Sequence, residues 1–241
     1  MPRSRPRDVT GEVRVYRGRR ATRETDRAAT RAMVERAAET DTPAVRVWTP
    51  GRQLAFGRRD TRADGYETAR TAAADHGFPP VERSVGGRAV AYADSTLAFA
   101  HAVPTDDART GLDDRYTAAV ETVVDALRAC DATVERGEPP ESFCPGDYSV
   151  RATDGGKIAG IAQRVRGEAA LVAGSVTVAD RASIRAVLAA VYDPLGVAFD
   201  PDSVGSVAAA GGPADPTPVR TALEDALVDG RERVLRDVTA L

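Results

Sequence analysis

The chain has 241 residues, 42% apolar and 29% charged, with a net charge of −3 and a mean hydropathy of −0.31. That length allows one sizeable core, read as a single domain over 1–241, but not two full domains, and the composition is that of an ordinary soluble globular protein. Apolar runs such as Ala169–Ala173 and Ala186–Tyr192 are far too short to span a bilayer. The basic Met1–Arg7 is followed by no apolar run, so residues 1–10 are expected to form a disordered, solvated tail, and the expected location is cytoplasmic.

Gly11–Tyr16 alternates as a short strand, and Thr22–Ala38 follows as a helix with an alanine-rich face. Ala44–Trp48 reads as a strand, with Trp48 taken as a core residue rather than a ligand platform, and Pro50–Gly51 turns into a second strand, Gln53–Phe56. Residues 64–76 form a helix stopped by Gly77 and the Pro79–Pro80 pair. Val81–Arg83, a Gly86–Gly87 turn and strands at Ala89–Ala91 and Thr96–Val103 come next. Asp113–Cys130 has the clearest helical pattern, with Val120, Val123, Val124 and Leu127 on one face. Thr133–Arg136 reads as a strand before the loop Gly137–Asp147. Tyr148–Ala152, Gly156–Val165 and Ala169–Val178 then alternate, joined by turns at Asp154–Gly155 and Gly167–Glu168, which predicts an antiparallel meander. Asp180–Val191 is a helix, 194–217 a Pro/Gly/Asp-rich loop free to move, and 218–236 a closing helix. Strands and helices mix without regular βαβ alternation, so the class is α+β.

Two cysteines, Cys130 and Cys144, do not make a disulfide framework, and no Cys/His cluster has metal-ligand spacing. His76 and His101 lie far apart, each without a neighbouring nucleophile, so a histidine-based triad is hard to build. The arginines are scattered among acids with no basic stripe and interleaved aromatics, which argues against a nucleic-acid partner. Lysine and arginine together number 33, yet Lys157 is the single lysine. Arginine replaces most surface lysines but cannot reproduce a compact ammonium on a flexible stem. A lone survivor therefore marks either a position that needs that chemistry or a chance remnant on a solvated strand.

Three segments carry candidate chemistry. Arg83-Ser-Val-Gly-Gly-Arg-Ala-Val90 places paired glycines, Gly86 and Gly87, between short strands, so the backbone can approach a ligand with Arg83 and Arg88 beside it. Many such pairs are simply hairpin turns. In Asp154-Gly-Gly-Lys-Ile-Ala-Gly-Ile-Ala-Gln-Arg164, alternation puts Lys157, Ala159, Ile161 and Gln163 on one face, while Ala159 and Gly160 leave room near the ammonium. That suits a narrow apolar slot ending at a cation, or merely a close-packed half-buried strand. Cys144, in Glu141-Ser-Phe-Cys-Pro-Gly-Asp147, is the more accessible thiol, and a cation such as Lys157 nearby would favour a usable thiolate; a loop cysteine can equally be inert.

Taken in order, these segments resemble the biotin/lipoate protein ligase superfamily over roughly residues 45–178. Arg83–Val90 is similar to its Arg-x-x-Gly-Gly-x-Ala-Val segment, Gly156–Arg164 to its lysine-containing strand, and Ala55–Asp60 to the strand end before the preceding helix. The Cys144-Pro-Gly-Asp-Tyr148 segment is closest to the cysteine-dependent octanoyl amidotransferases, although Gly156 stands where a second lysine is common. The resemblance implies a mixed, largely antiparallel sheet flanked by helices. It also implies an acyltransferase that moves an octanoyl or lipoyl group from a carrier protein, through a Cys144 thioester, to a lysine of a lipoyl domain. Those acceptors are E2 subunits of 2-oxoacid dehydrogenases and the glycine cleavage H protein.

In this reading Cys144 and Lys157 are catalytic, Lys157 gripping the acyl carbonyl, and Arg83, Gly86, Gly87, Arg88, Ala89, Ala159 and Gly160 bind the substrate. The acyl chain would lie along Ala89, Ala91 and the lysine strand, gaining about 0.8 kcal/mol per buried methylene. The transferase needs no cofactor. The alternatives are a lipoate–protein ligase using ATP and Mg through a lipoyl-adenylate, with Cys144 incidental, and a non-catalytic lipoate-binding accessory subunit. A biotin ligase fits less well, because no glycine-arginine-rich adenylate loop is found.

Overall fold

The computed structural model describes residues 11–83, 87–105, 111–166 and 168–241. The expected tail 1–10, Gly86 and Gly167 lie outside the described residues. The elements run β1 (Glu12–Arg17), α1 (Arg23–Thr40), β2 (Ala44–Trp48), β3 (Gln53–Phe56), α2 (Tyr66–Asp75), β4 (Pro80–Glu82), β5 (Val90–Tyr92) and β6 (Leu97–Pro104). Next come α3 (Leu112–Arg128), β7 (Val134–Arg136), β8 (Ser149–Ala152), β9 (Lys157–Arg166), β10 (Ala169–Val176), α4 (Arg181–Tyr192), α5 (Pro216–Val228) and β11 (Glu232–Asp237). Local chemistry sets several ends. Thr22 and Thr25 form a reciprocal capping box on α1. Asp215 caps α5, with Pro216 in its first turn, where the missing N–H costs no helical hydrogen bond.

The described strands form a large sheet in the order β11-β1-β2-β6-β10-β9-β8-β7 and a small one in the order β4-β3-β5. From β2 to β7 the large sheet is antiparallel; β11, β1 and β2 run parallel. The expected meander is thus present as β8, β9 and β10. One face of the large sheet packs its valines and Phe99 against α3 and α5. Part of the other face is covered by α1 through Met33, Val34 and Ala37 over Ala44, Ala100 and Ala102. A third apolar cluster lies between the small sheet, α2 and α4. Among the described residues no helix is long and apolar enough to cross a membrane.

Two expectations fail here. The closing helix does not run from 218 to 236: Asp229 turns left-handed at φ 53° and caps α5, Gly230 is next at φ +71°, and Glu232–Asp237 pairs in parallel with all of β1. An Asp-Gly pair after an apolar run is a helix stop, and pairing with an open sheet edge outweighs the helical propensity of residues 231–236. The 194–217 loop is not free either. It buries Val204 and Val207, bridges Val204 to Lys157 and donates Gly205 N–H to the Lys157 carbonyl at 2.9 Å. Gly156 and Gly205 allow this contact, since a Cβ on Gly205 would sit 2.3 Å from the Gly156 oxygen.

Candidate active site

Between the free part of the large sheet, the small sheet and the start of α1 lies a cleft of about 950 Å³, within the size range of small-molecule sites. The large sheet lines it with small side chains: Ala98, Gly160, Ala162, Ala173 and Ser175, which share one face by register. Ala55, Val90 and Tyr92 line it from the small sheet, and Trp48 and Phe143 also contribute. Trp48 is thus part of the wall rather than plain core, with the Arg46 guanidinium 4.0 Å over its ring. Burial raises the Tyr92 hydroxyl above the ordinary phenol range, the nearby Arg83 opposing that shift.

The alternation expected along both walls is present, but its phase is inverted. Ala159 packs in the core facing α3, and Ala89 and Ala91 pack in the cluster beneath α4; none of them lines the cleft. A strand has a period of two, so a one-residue change of phase moves every side chain to the other face. Pairing across β8 and β9 explains how Lys157 nevertheless joins the Gly160 face. Ser149 opposes Gly160 and Val150 opposes Ala159, but Arg151 opposes Lys157 instead of Ile158. The extra residue is a β-bulge, which re-aims the side chain before it. Lys157 accordingly lies over Gly160, where a Cβ would come within 3.3 Å of its Cε.

Lys157 is 1% exposed. Its ammonium donates to the Cys144 carbonyl at 2.9 Å, the Phe143 carbonyl at 3.2 Å and Glu138 Oε1 at 3.1 Å. Three N–H groups meet three acceptors, with the Phe143 ring centroid 5.3 Å away. The expected grip of Lys157 on an acyl carbonyl is therefore not what the geometry offers: its donors are taken by the cysteine loop and Glu138. A flat, wider guanidinium does not fit a tetrahedral set of acceptors roofed by Gly160, which accounts for a lysine at this one position in an arginine-rich chain.

Cys144 adopts a left-handed backbone, φ 42°. Its N–H donates to Tyr192 Oη at 2.7 Å. Its sulfur accepts from Arg83 Nη2 and from the backbone N–H of Arg88, each at 3.4 Å. The cation facing the sulfur is thus Arg83, not Lys157. Gly87, at φ +88°, is required by this approach, because a Cβ there would lie 2.9 Å from Sγ. Arg88 serves through its backbone; its guanidinium turns away to buried Asp60 at 3.3 Å, which also accepts the Gly57 N–H at 2.9 Å. A guanidinium and a backbone N–H thus both point at the sulfur within the cleft. Cys130 instead faces a separate groove between α3 and α5.

Residues 24–227 match the profile of the lipoyl protein ligase A/B catalytic domain. This chain belongs to that family. As a member of the lipoyl protein ligase A/B family, it is similar in fold to lipoate-protein ligase A bound with ATP (20% identity, 95% of this chain and 89% of that one, TM-score 0.74). It is also similar to the bi-partite lipoate protein ligase from Thermoplasma acidophilum, studied with its E2 lipoyl domain (20% identity, 95% and 87%, TM-score 0.65). Among curated family relatives it is 35% identical over 127 residues to the octanoyl-[GcvH]:protein N-octanoyltransferase of Bacillus velezensis, covering 52% of this chain and 43% of that one. The enzyme of the same name from Anoxybacillus flavithermus is 32% identical over 131 residues, covering 54% and 46%. The matched segments span less than half the length of these relatives.

At the cleft, the structure brings together Cys144, Lys157, Arg83, Gly87, the Arg88 backbone and Gly160, and sets Ala89 and Ala159 behind the walls. The sequence reading missed Glu138, Tyr92, Tyr192 and the role of Asp60. Asp60 stands in a segment that carried the resemblance. Glu138 and Tyr192 bear no motif, and only the folded arrangement joins them to the cysteine.

Proposed function

We propose that this protein is an acyltransferase that carries an octanoyl or lipoyl group on Cys144 and delivers it to a lysine of a lipoyl domain. The observation that carries the reading is the sulfur at the cleft, facing a guanidinium and a backbone N–H with small-residue walls behind it. The names of the curated relatives support the same chemistry. The Cys144 sulfur attacks the acyl carbonyl of the donor, a C–S bond forms, and the donor's bond to its carrier sulfur or nitrogen breaks, that atom leaving with the proton given up by the Cys144 thiol. The Arg88 N–H and the Arg83 guanidinium stabilise the oxyanion that develops beside the sulfur. Lys157 and Glu138 act through the loop, holding the Cys144 carbonyl. The target ε-amine then attacks the thioester, an amide forms, and Cys144 regains its thiol by taking the amine proton.

No cofactor enters these steps. The partners this predicts are the H protein of glycine cleavage and the lipoyl domains of E2 subunits, acting as donor or acceptor. The test is octanoyl transfer from octanoylated H protein to an E2 lipoyl domain, run with and without ATP and magnesium. Transfer without ATP supports the proposal. A strict ATP requirement with ATP–pyrophosphate exchange would make the protein a ligase, and saturable acyl binding without turnover would make it an accessory subunit.

A further inference from the structure

We infer that Tyr192 is a positioning residue that holds the Cys144 sulfur against its N–H donors. The inference rests on Cys144 being the acyl carrier. Tyr192 ends α4, outside every segment that carries the resemblance, yet it is 1% exposed and reaches the cysteine loop at the cleft. Its hydroxyl oxygen accepts the Cys144 N–H at 2.7 Å and donates its own proton to the Ala89 carbonyl at 3.0 Å. One phenol therefore joins the loop that carries the nucleophile to the loop whose Arg88 N–H faces it.

The Cys144 backbone is gripped from both sides, its N–H by Tyr192 and its C=O by Lys157. Two fixed peptide groups hold the residue in the left-handed conformation that a side-chain-bearing residue seldom adopts unless its surroundings impose it. That conformation aims Sγ at Arg83 and at the Arg88 N–H. Burial raises the Tyr192 hydroxyl well above the ordinary phenol range, so it stays protonated and able to donate. The ring packs on Phe199 at 5.0 Å, which separates its packing role from its hydrogen bonds.

The experiment follows single-turnover acylation of the full-length protein by octanoylated H protein, monitored by intact mass at increasing donor concentration. The first-order limiting rate does not depend on how much protein is folded. Tyr192→Phe keeps the ring and removes both hydrogen bonds; it should lower the limiting rate about tenfold or more while the half-saturating donor concentration stays within about twofold. Phe199→Leu disturbs the same packing without touching the bonds and should lower the melting temperature with the limiting rate unchanged. A Tyr192→Phe rate within about twofold of wild type overturns the inference, provided the wild type acylates; a wild type that never acylates overturns the transferase reading instead. Should Tyr192→Phe fail to fold, amide exchange of the wild type decides. A Cys144 N–H protected as well as the β9 amides supports the bond, and free exchange overturns the inference.

Discussion

The two faces of the large sheet obey different rules. On the face under α3 and α5, valines and other sizeable apolar side chains predominate. On the cleft face the same strands carry alanine, glycine and serine, and the interactions at its end are directional: ammonium to carbonyl, guanidinium to sulfur, phenol to two backbone groups. One strand serves both purposes because its period is two. The apolar face supplies stability that tolerates imprecise geometry, whereas the cleft face leaves room for a chain and fixes a few polar atoms.

Substitutions on the two faces should therefore fail in different ways. The largest effect belongs to Cys144→Ser, which should reduce octanoyl transfer by about 10³-fold or more with little change in melting temperature, since a serine oxygen is a far weaker acyl acceptor than a cysteine sulfur. Lys157→Met comes next. It removes one partner of a buried ion pair and leaves Glu138 and two carbonyls short of a donor, a change that costs about 3–5 kcal/mol when such a pair is broken; urea titration and transfer assays should both register it. Leu127→Ala, on the opposite face and fully buried, should cost about 2–5 kcal/mol of stability, with the limiting rate per folded molecule unchanged because the site is distant. A loss of rate there would erase the division between the faces.

Ala173→Leu probes the same division from the other side. Filling the cleft wall should slow octanoyl transfer roughly tenfold, about 1.4 kcal/mol, while acetyl transfer and the melting temperature hold. The smallest effect concerns His101, which β6 sets opposite Val45 with its Nε2 buried and unpaired. Burial, aided by Arg231, lowers it to about 4, below the ordinary value near 6.5. The native state favours the neutral ring, so its contribution is complete above about pH 6.5 and is lost as pH falls toward 4, about 1–3 kcal/mol in all. His101→Leu should flatten that part of the stability–pH curve; an unchanged slope would show that another group controls it.

Much of this was legible in the sequence, because the signals were local. Alternation in 148–178 gave the meander, and the apolar stripe Val120, Val123, Val124 and Leu127 gave α3 and its buried face. The solitary lysine and the loop cysteine were recognisable as unusual residues, and the structure brings them together. What could not be read depended on contacts across the fold. The bulge at Ile158 arises where the Val204–Gly205 segment docks on the strand, and it decides which face Lys157 joins. The phase of β5 depends on α4 demanding small alanines beneath it. Glu138 and Tyr192 gain meaning only from neighbours distant in sequence, and β11 exists because β1 offers an open edge.

Acylation of the Cys144 sulfur is the step on which the proposed chemistry stands or falls. The decisive experiment is intact-mass spectrometry of the purified protein after incubation with octanoylated H protein. The expected product has gained one octanoyl group, sensitive to hydroxylamine, chased off by an E2 lipoyl domain and lost in Cys144→Ser. Transfer at the wild-type rate by Cys144→Ser, with no acylated intermediate in either protein, would contradict it.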